Sequence, residues 1–261
     1  MTRQLAGFDL TTFTHEGRSH DVYRAGSGPA VVVIHELPGL HPGVVEFARR
    51  LVDAGYSVYL PSLFGRPGEP AGAAAVLRSV LRVCVAREFT ILADRTSPVA
   101  TWLRALAAEA HRECGGPGVG AIGMCFTGGF ALAMAVEPAV LAPVLSQPGL
   151  PAPVNARKRA AVGLDNADLA RVKARAQRGL CVLGLRFSAD KGCPGERFES
   201  LRRELGEGFE GIEIDSSPGN AHRIPARAHS VLTVGLVDEP GHPTRAALDR
   251  VMEFMSQRLR R

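Results

Sequence analysis

The amino-acid sequence predicts an α/β domain built on a doubly wound, mostly parallel sheet with helices on both faces. Short apolar runs alternate with segments of helical period along most of the 261 residues, the pattern of successive strand–helix units. Two of the runs, Ala30-Val31-Val32-Val33-Ile34 and Val119-Gly120-Ala121-Ile122, carry no polar residue at all, as expected of strands covered on both faces. Residues capable of chemistry fall just after these and later strands, where open parallel sheets form their sites. With 46% hydrophobic and 22% charged residues, the chain can bury one large core. No linker, repeat or low-complexity stretch divides it, so a single domain over residues 1–261 is expected.

In chain order, Phe8 to Phe13 and His20 to Arg24 read as two extended pieces, and the turn Gly26-Ser27-Gly28-Pro29 leads into the buried run 30–34. Val44, Val45, Phe47, Ala48, Leu51 and Val52 lie at helical spacing and stop at Gly55, with a strand from Ser57 to Leu60 behind them. Such a glycine ends a helix readily. A Pro/Gly-rich loop, 61–72, precedes a helical region over 73–86. Ser97-Pro98 opens another helix as N-cap and first residue, with Val99, Trp102, Leu103 and Leu106 on one side. Later strands are expected over 140–145, 181–185 and 209–214, a helix after Asn166, and a closing helix over 244–260.

The corner of the chain is Gly123-Met124-Cys125-Phe126-Thr127-Gly128-Gly129, between the strand ending at Ile122 and the small-residue helix from Phe130. A strand that turns this sharply into a helix exposes one residue at the corner, here Cys125. Gly123 leaves room two residues before it, and Gly128 and Gly129 let the helix begin close to the strand. The helix N-terminus then presents N–H groups and its positive dipole end to the sulfur, a setting that favours a thiolate. Thr127 stands where the usual Gly-x-nucleophile-x-Gly pattern has its second glycine.

Strand-end residues elsewhere supply further candidates: His35-Glu36-Leu37-Pro38-Gly39 after the first buried run, Arg186-Phe187-Ser188-Ala189-Asp190 after the strand at 181, and Pro218-Gly219-Asn220-Ala221-His222 after the strand at 209. Nucleophile 125, acid 190 and base 222 follow the chain order of the α/β-hydrolase triad. His229 is the rival base, seven residues further on.

From about residue 18 to the last helix the sequence resembles the dienelactone hydrolases (carboxymethylenebutenolidases) of the α/β-hydrolase superfamily. The resemblance is carried by Val-Val-Ile-His-Glu-Leu-Pro-Gly-Leu, by Gly-Met-Cys-Phe-Thr-Gly-Gly, by Asp190 with Pro194 after it, and by Pro-Gly-Asn-Ala-His222. It implies Cys125 as nucleophile, His222 as general base, Asp190 as its orienting acid and Glu36 as the resting partner of the thiol. Three departures stand out. His35 occupies a position where the family often has Gln, Thr127 replaces a glycine, and no arginine is an unambiguous counterpart of those that grip a substrate carboxylate. Arg87 and Arg227 are the candidates for that grip.

Several functional classes are disfavoured. The net charge of +5 is spread along the chain, and Arg157-Lys158-Arg159 is the one tight basic run. No aromatic residues interleave with it as a single-strand nucleic-acid groove requires. Five cysteines without CxxC spacing suggest neither a disulfide framework nor a zinc site. No membrane-spanning or signal-like apolar segment is visible, so a cytoplasmic protein with no metal or cofactor is expected. The chemistry that fits is hydrolysis of a small ester or lactone through a thioester, with backbone N–H groups of Leu37 and Phe126 holding the oxyanion. Two alternatives remain open, a catalytically silent binding protein on the same fold and a thiol acyl-transfer or redox protein.

Overall fold

The computed structural model describes residues 5–72, 74–79, 97–149 and 155–260. Eight strands form one sheet: β1 (Asp9–His15), β2 (Arg18–Ala25), β3 (Ala30–Ile34), β4 (Ser57–Pro61), β5 (Val119–Met124), β6 (Val140–Ser146), β7 (Val182–Phe187) and β8 (Phe209–Ile214). Their order across the sheet is β1-β2-β4-β3-β5-β6-β7-β8. The first two strands are an antiparallel hairpin at one edge, turned by Glu16 and Gly17 with φ of 48° and 73°. Two consecutive positive φ values match the right-handed twist of the strands they join. From β4 onward all pairings are parallel, as the continuous apolar runs predict.

Seven helices have defined bounds: α1 (Pro42–Asp53), α2 (Pro98–Cys114), α3 (Gly128–Met134), α4 (Ala156–Ala160), α5 (Asn166–Ala176), α6 (Gly195–Leu205) and α7 (Pro243–Leu259). The helix expected over 73–86 is helical at 74–79, and the rest of that stretch lies outside the described residues. Helix α1 buries Val44, Phe47 and Leu51 with Phe254 and Met255 of α7 in a core on one face of the sheet. Trp102 and Leu103 of α2, Phe130 of α3 and Phe198 of α6 build the core on the other face. Helix α6 was not anticipated. Its apolar stripe is only Phe198, Leu201 and Leu205 among charged neighbours, and it becomes decisive only when Phe198 meets Phe209 of β8 edge-on, with centroids 5.4 Å apart.

The first buried strand runs directly into His35, which is fully buried. Its Nε2 accepts from the Leu63 N–H at 3.1 Å, and Nδ1 lies 3.1 Å from the Glu36 carbonyl. An accepting Nε2 carries no proton, so the ring is the neutral tautomer with its proton on Nδ1. Burial accordingly lowers its pKa to about 4, against the raising effect of the Glu36 carbonyl. A group whose folded pKa lies below its unfolded value loses stability as pH falls, here from about 6.5 toward about 4. Between pH 7 and pH 5 the loss from this one residue is about 2 kcal/mol, from the standard 1.36 kcal/mol per unit. Urea unfolding should therefore show a smaller drop between those two pH values in His35→Asn than in wild type, and equal drops would remove His35 as the cause.

Candidate active site

Strand register assembles the site. Ile34 pairs with Gly123, and Met124 pairs with Ser146. Continuing those ladders past the strand ends brings Glu36, Cys125 and Gln147 abreast at the carboxyl edge of the sheet. Ser146 in turn pairs with Leu185, and Phe187 with Ile214, so the Asp190 loop and the connection 215–242 emerge at the same edge. This is the switch region where β3 sends its chain to β4 on one side while β5 lies on the other.

Cys125 is the corner residue expected from the sequence. Its φ is 56°, a left-handed conformation costing a non-glycine residue roughly 1–3 kcal/mol that surrounding contacts must offset. A Cβ at Gly123 would lie 2.3 Å from the Thr127 carbonyl oxygen, so only glycine fits there. Thr127 explains its own departure from the glycine pattern. Its φ is −81°, which asks nothing special of the backbone. Its buried hydroxyl accepts from the Met124 N–H at 2.9 Å and lies 2.9 Å from the carbonyls of both Ile34 and Met124. The β-branched side chain thus fastens the elbow to the end of β3. Opposite, the Gly149 N–H donates to the Cys125 carbonyl at 2.9 Å.

The partner of Asp190 is His229, not His222. Nδ1 of His229 lies 2.6 Å from Asp190 Oδ2, and Asp190 Oδ1 accepts from the Gly192 N–H at 2.8 Å. The imidazole is also in hydrogen-bond contact with the Cys125 side chain, for which Nε2 remains. Burial alone would lower the His229 pKa. The bonds to Asp190 and then to Cys125 more than reverse it, raising the value to about 10. The buried Arg186 steadies the acid's loop from below, donating to the carbonyls of Cys193 and Ser188 at 2.9 Å each.

His222 is exposed and stacks edge-on against His242, with centroids 5.1 Å apart. The Pro-Gly-Asn-Ala-His stretch is a self-contained turn: Asn220 accepts from the Ile224 N–H at 2.9 Å and donates to the carbonyls of Ser217 and Ile224. Turn residues therefore produced the motif-like look of this stretch, and the side chain after them points to solvent. No periodic signal marks His229 within the irregular connection 215–242, so only the tertiary structure distinguishes the two histidines.

Glu36 also differs from expectation. Its buried carboxylate takes hydrogen bonds from four side chains, and the thiol contacts His229 instead. Oε1 accepts from His41 at 3.1 Å and from Thr233, and Oε2 from Gln147 at 3.0 Å and Ser230 at 2.6 Å. Burial would raise the Glu36 pKa, but donation from His41, Ser230 and Thr233 outweighs it and the value is lowered. The carboxylate is ionised. Gln147, Ser230 and Thr233 had no sequence signal.

Leu37 is half-buried and Phe126 buried, each following directly on Glu36 and Cys125. Arg227 is exposed two residues before His229, and Arg87 lies outside the described residues. Arg197, buried beside this region, donates to the backbone carbonyls of Ala161, Pro148 and Lys158, so its guanidinium serves the loop rather than a ligand. A cleft of about 680 Å³ opens at the opposite end of the strands, beside Pro138, Leu141 and Arg175. Arg175 there is committed to the carbonyls of Ala135, Glu137, Pro138 and Val140. Among the described residues no group of three or more His, Cys, Asp or Glu is placed to hold a metal ion, and no helix is long and apolar enough to cross a membrane.

Comparison with known proteins places the chain in a family. Over 111 residues the chain is 31% identical to a Salmonella typhi protein assigned as a carboxymethylenebutenolidase, and over 116 residues 31% identical to one of Escherichia coli strain K12. These matches span 40% and 41%, respectively, both of this chain and of those relatives. Solved structures share the fold along the whole length. The dienelactone hydrolase of Anabaena variabilis superposes with a TM-score of 0.60 at 18% identity, covering 97% of this chain and 98% of that one. A cold-adapted esterase from an Arctic intertidal metagenomic library gives 0.61 at 16% identity, covering 98% and 97%. The profile of the dienelactone hydrolase family matches residues 19–259, and with that match over nearly all its length the chain belongs to the dienelactone hydrolase family.

Proposed function

We propose that this family member hydrolyses an ester or lactone through a triad of Cys125, His229 and Asp190, by way of a thioester. The observation that carries the reading is His229, which holds Asp190 through one ring nitrogen and contacts Cys125 with the rest of the imidazole. Its raised pKa favours a resting imidazolium beside the sulfur, and an imidazolium favours thiolate. The sulfur attacks the substrate carbonyl, forming the C–S bond, and the backbone N–H groups of Phe126 and Leu37 stabilise the oxyanion. The C–O bond then breaks as His229 gives its proton to the departing oxygen. His229, now neutral, takes a proton from water, the resulting hydroxide cleaves the thioester, and the carboxylic acid leaves with the starting pair restored. Asp190 fixes the tautomer and stabilises the charged ring.

A thiol redox role is less well supported. The free cysteines among the described residues are 114, 125, 181 and 193. The Cys193 thiol, nearest Asp190 in sequence, is pushed up to about 12 by burial, which makes it a poor attacking or resolving thiol. A silent binding protein would need none of the His229 contacts.

Turnover of p-nitrophenyl acetate and of a dienelactone tests the reading. Cys125→Ala and His229→Ala should each lower kcat by roughly 10³-fold or more, and the double variant should be no worse, because triad members act as a unit. His222→Ala should retain the wild-type rate. Activity retained in Cys125→Ala, or lost in His222→Ala alone, would overturn the assignment. Asp190→Asn should stay folded and lose about 10⁴-fold, the scale expected when the histidine tautomer is no longer enforced; wild-type activity in this variant would remove Asp190 from the triad.

A further inference from the structure

The connection that carries His229 runs from residue 215 to 242 without regular secondary structure. A base on so long an irregular segment needs an external reference to hold its ring against the thiol, since a displacement of about 1 Å can cost a reaction about 10²-fold. Asp190 fixes one end of the imidazole but cannot by itself fix the backbone that presents it. The side chains immediately after His229 show what does.

We propose that Glu36 is the positioning residue for this histidine: its carboxylate, fixed to the sheet by His41 and Gln147, clamps Ser230 and Thr233 and so sets His229 against Cys125. The inference rests on the triad reading above. Each contact is on one of two sides. On the rigid side, His41 accepts from the Gly43 N–H through Nδ1 at 3.2 Å, so Nε2 carries the proton that it donates to Glu36. His41 is therefore at once the N-cap of α1 and a neutral donor to the carboxylate. Gln147 leaves β6 with φ of 36°, its N–H bonded to the Leu185 carbonyl at 2.7 Å, and donates to Glu36 from its amide nitrogen.

On the side of the irregular connection, Ser230 donates to one carboxylate oxygen and Thr233 to the other. Gln147 completes the clamp by accepting from the Val231 N–H at 3.2 Å. Val231 and Leu232 are buried in the core beneath, and a Cβ at Gly43 would come within 3.4 Å of the Thr233 side chain. Residues 230–233 are thus held by polar bonds on one side and packing on the other. The charge matters because bonds to an ionised acceptor are about twice as strong as neutral ones, and four donors are what make such burial tolerable.

This role predicts the opposite sign from a carboxylate that restrains the thiol. Glu36→Gln keeps the shape but turns one acceptor oxygen into an NH₂ group that cannot accept, so it breaks part of the clamp. Iodoacetamide alkylation of Cys125 at pH 7 should slow toward the rate of His229→Ala, and kcat for p-nitrophenyl acetate should fall roughly 10- to 100-fold with KM little changed. Ser230→Ala and Thr233→Val leave the carboxylate in place, and each should slow alkylation in the same direction by less. They keep the test open if Glu36→Gln does not fold. Faster or unchanged alkylation in Glu36→Gln, or wild-type behaviour of both Ser230→Ala and Thr233→Val, would overturn the proposal. If His229→Ala itself alkylates and turns over like wild type, the triad reading has failed and the clamp with it; if His229→Ala is inactive while the clamp variants are normal, only the clamp has failed.

Discussion

The elbow at Cys125 is the constraint on which the rest of the site depends. A cysteine held at φ 56° stands half-buried at the strand end because the chain reverses within three residues, and that reversal tolerates no Cβ at position 123. Its strain is offset locally. The Thr127 hydroxyl bonds the Met124 N–H and reaches the end of β3, and the Gly149 N–H holds the Cys125 carbonyl. These fastenings tie the corner to the end of its own strand β5, to the end of β3 and to the segment after β6, so the position of the sulfur is set by the register of β3, β5 and β6.

Two carboxylates serve this site in different electrostatic settings. Asp190 lies against an imidazole whose pKa is raised to about 10, so it faces a cation and its charge is compensated. Among the described residues neither a lysine nor an arginine bonds Glu36. Its charge is held by His41, Gln147, Ser230 and Thr233, all neutral donors when His41 accepts from Gly43 as the N-cap. Hydrogen bonds to the charged form can hold a buried carboxylate ionised without any partner charge. The arrangement makes the carboxylate a link between the sheet end, through Gln147, and the connection 215–242, through Ser230 and Thr233.

The connection after β8, residues 215–242, carries His229 without regular secondary structure. Its stability comes from separate anchors: the Asn220 turn near its start, the buried Val231 and Leu232 in the middle, and the Thr244 hydroxyl accepting from the Val237 N–H at 3.0 Å at its end. Each anchor is polar or apolar for a local reason, and the histidine that matters sits between the second and first of them.

The sequence alone determined the sheet, most of its helices and the corner at Cys125. Apolar runs of strand length, helical spacing ending at glycine, the Ser97-Pro98 cap and the glycines around Cys125 are all local signals, and local signals act through backbone geometry that neighbouring residues specify. Asp190 was legible for the same reason, as a polar residue just past a buried strand. Which histidine meets that aspartate was decided only by tertiary structure. His222 and His229 share one irregular connection in which no periodicity relates a residue to the sheet, and the choice depends on Asn220 closing a turn that leaves His222 in solvent. The partners of Glu36 were hidden likewise, because Gln147, Ser230 and Thr233 come from distant parts of the chain and meet only where strand register and the buried Val231 bring them to one carboxylate.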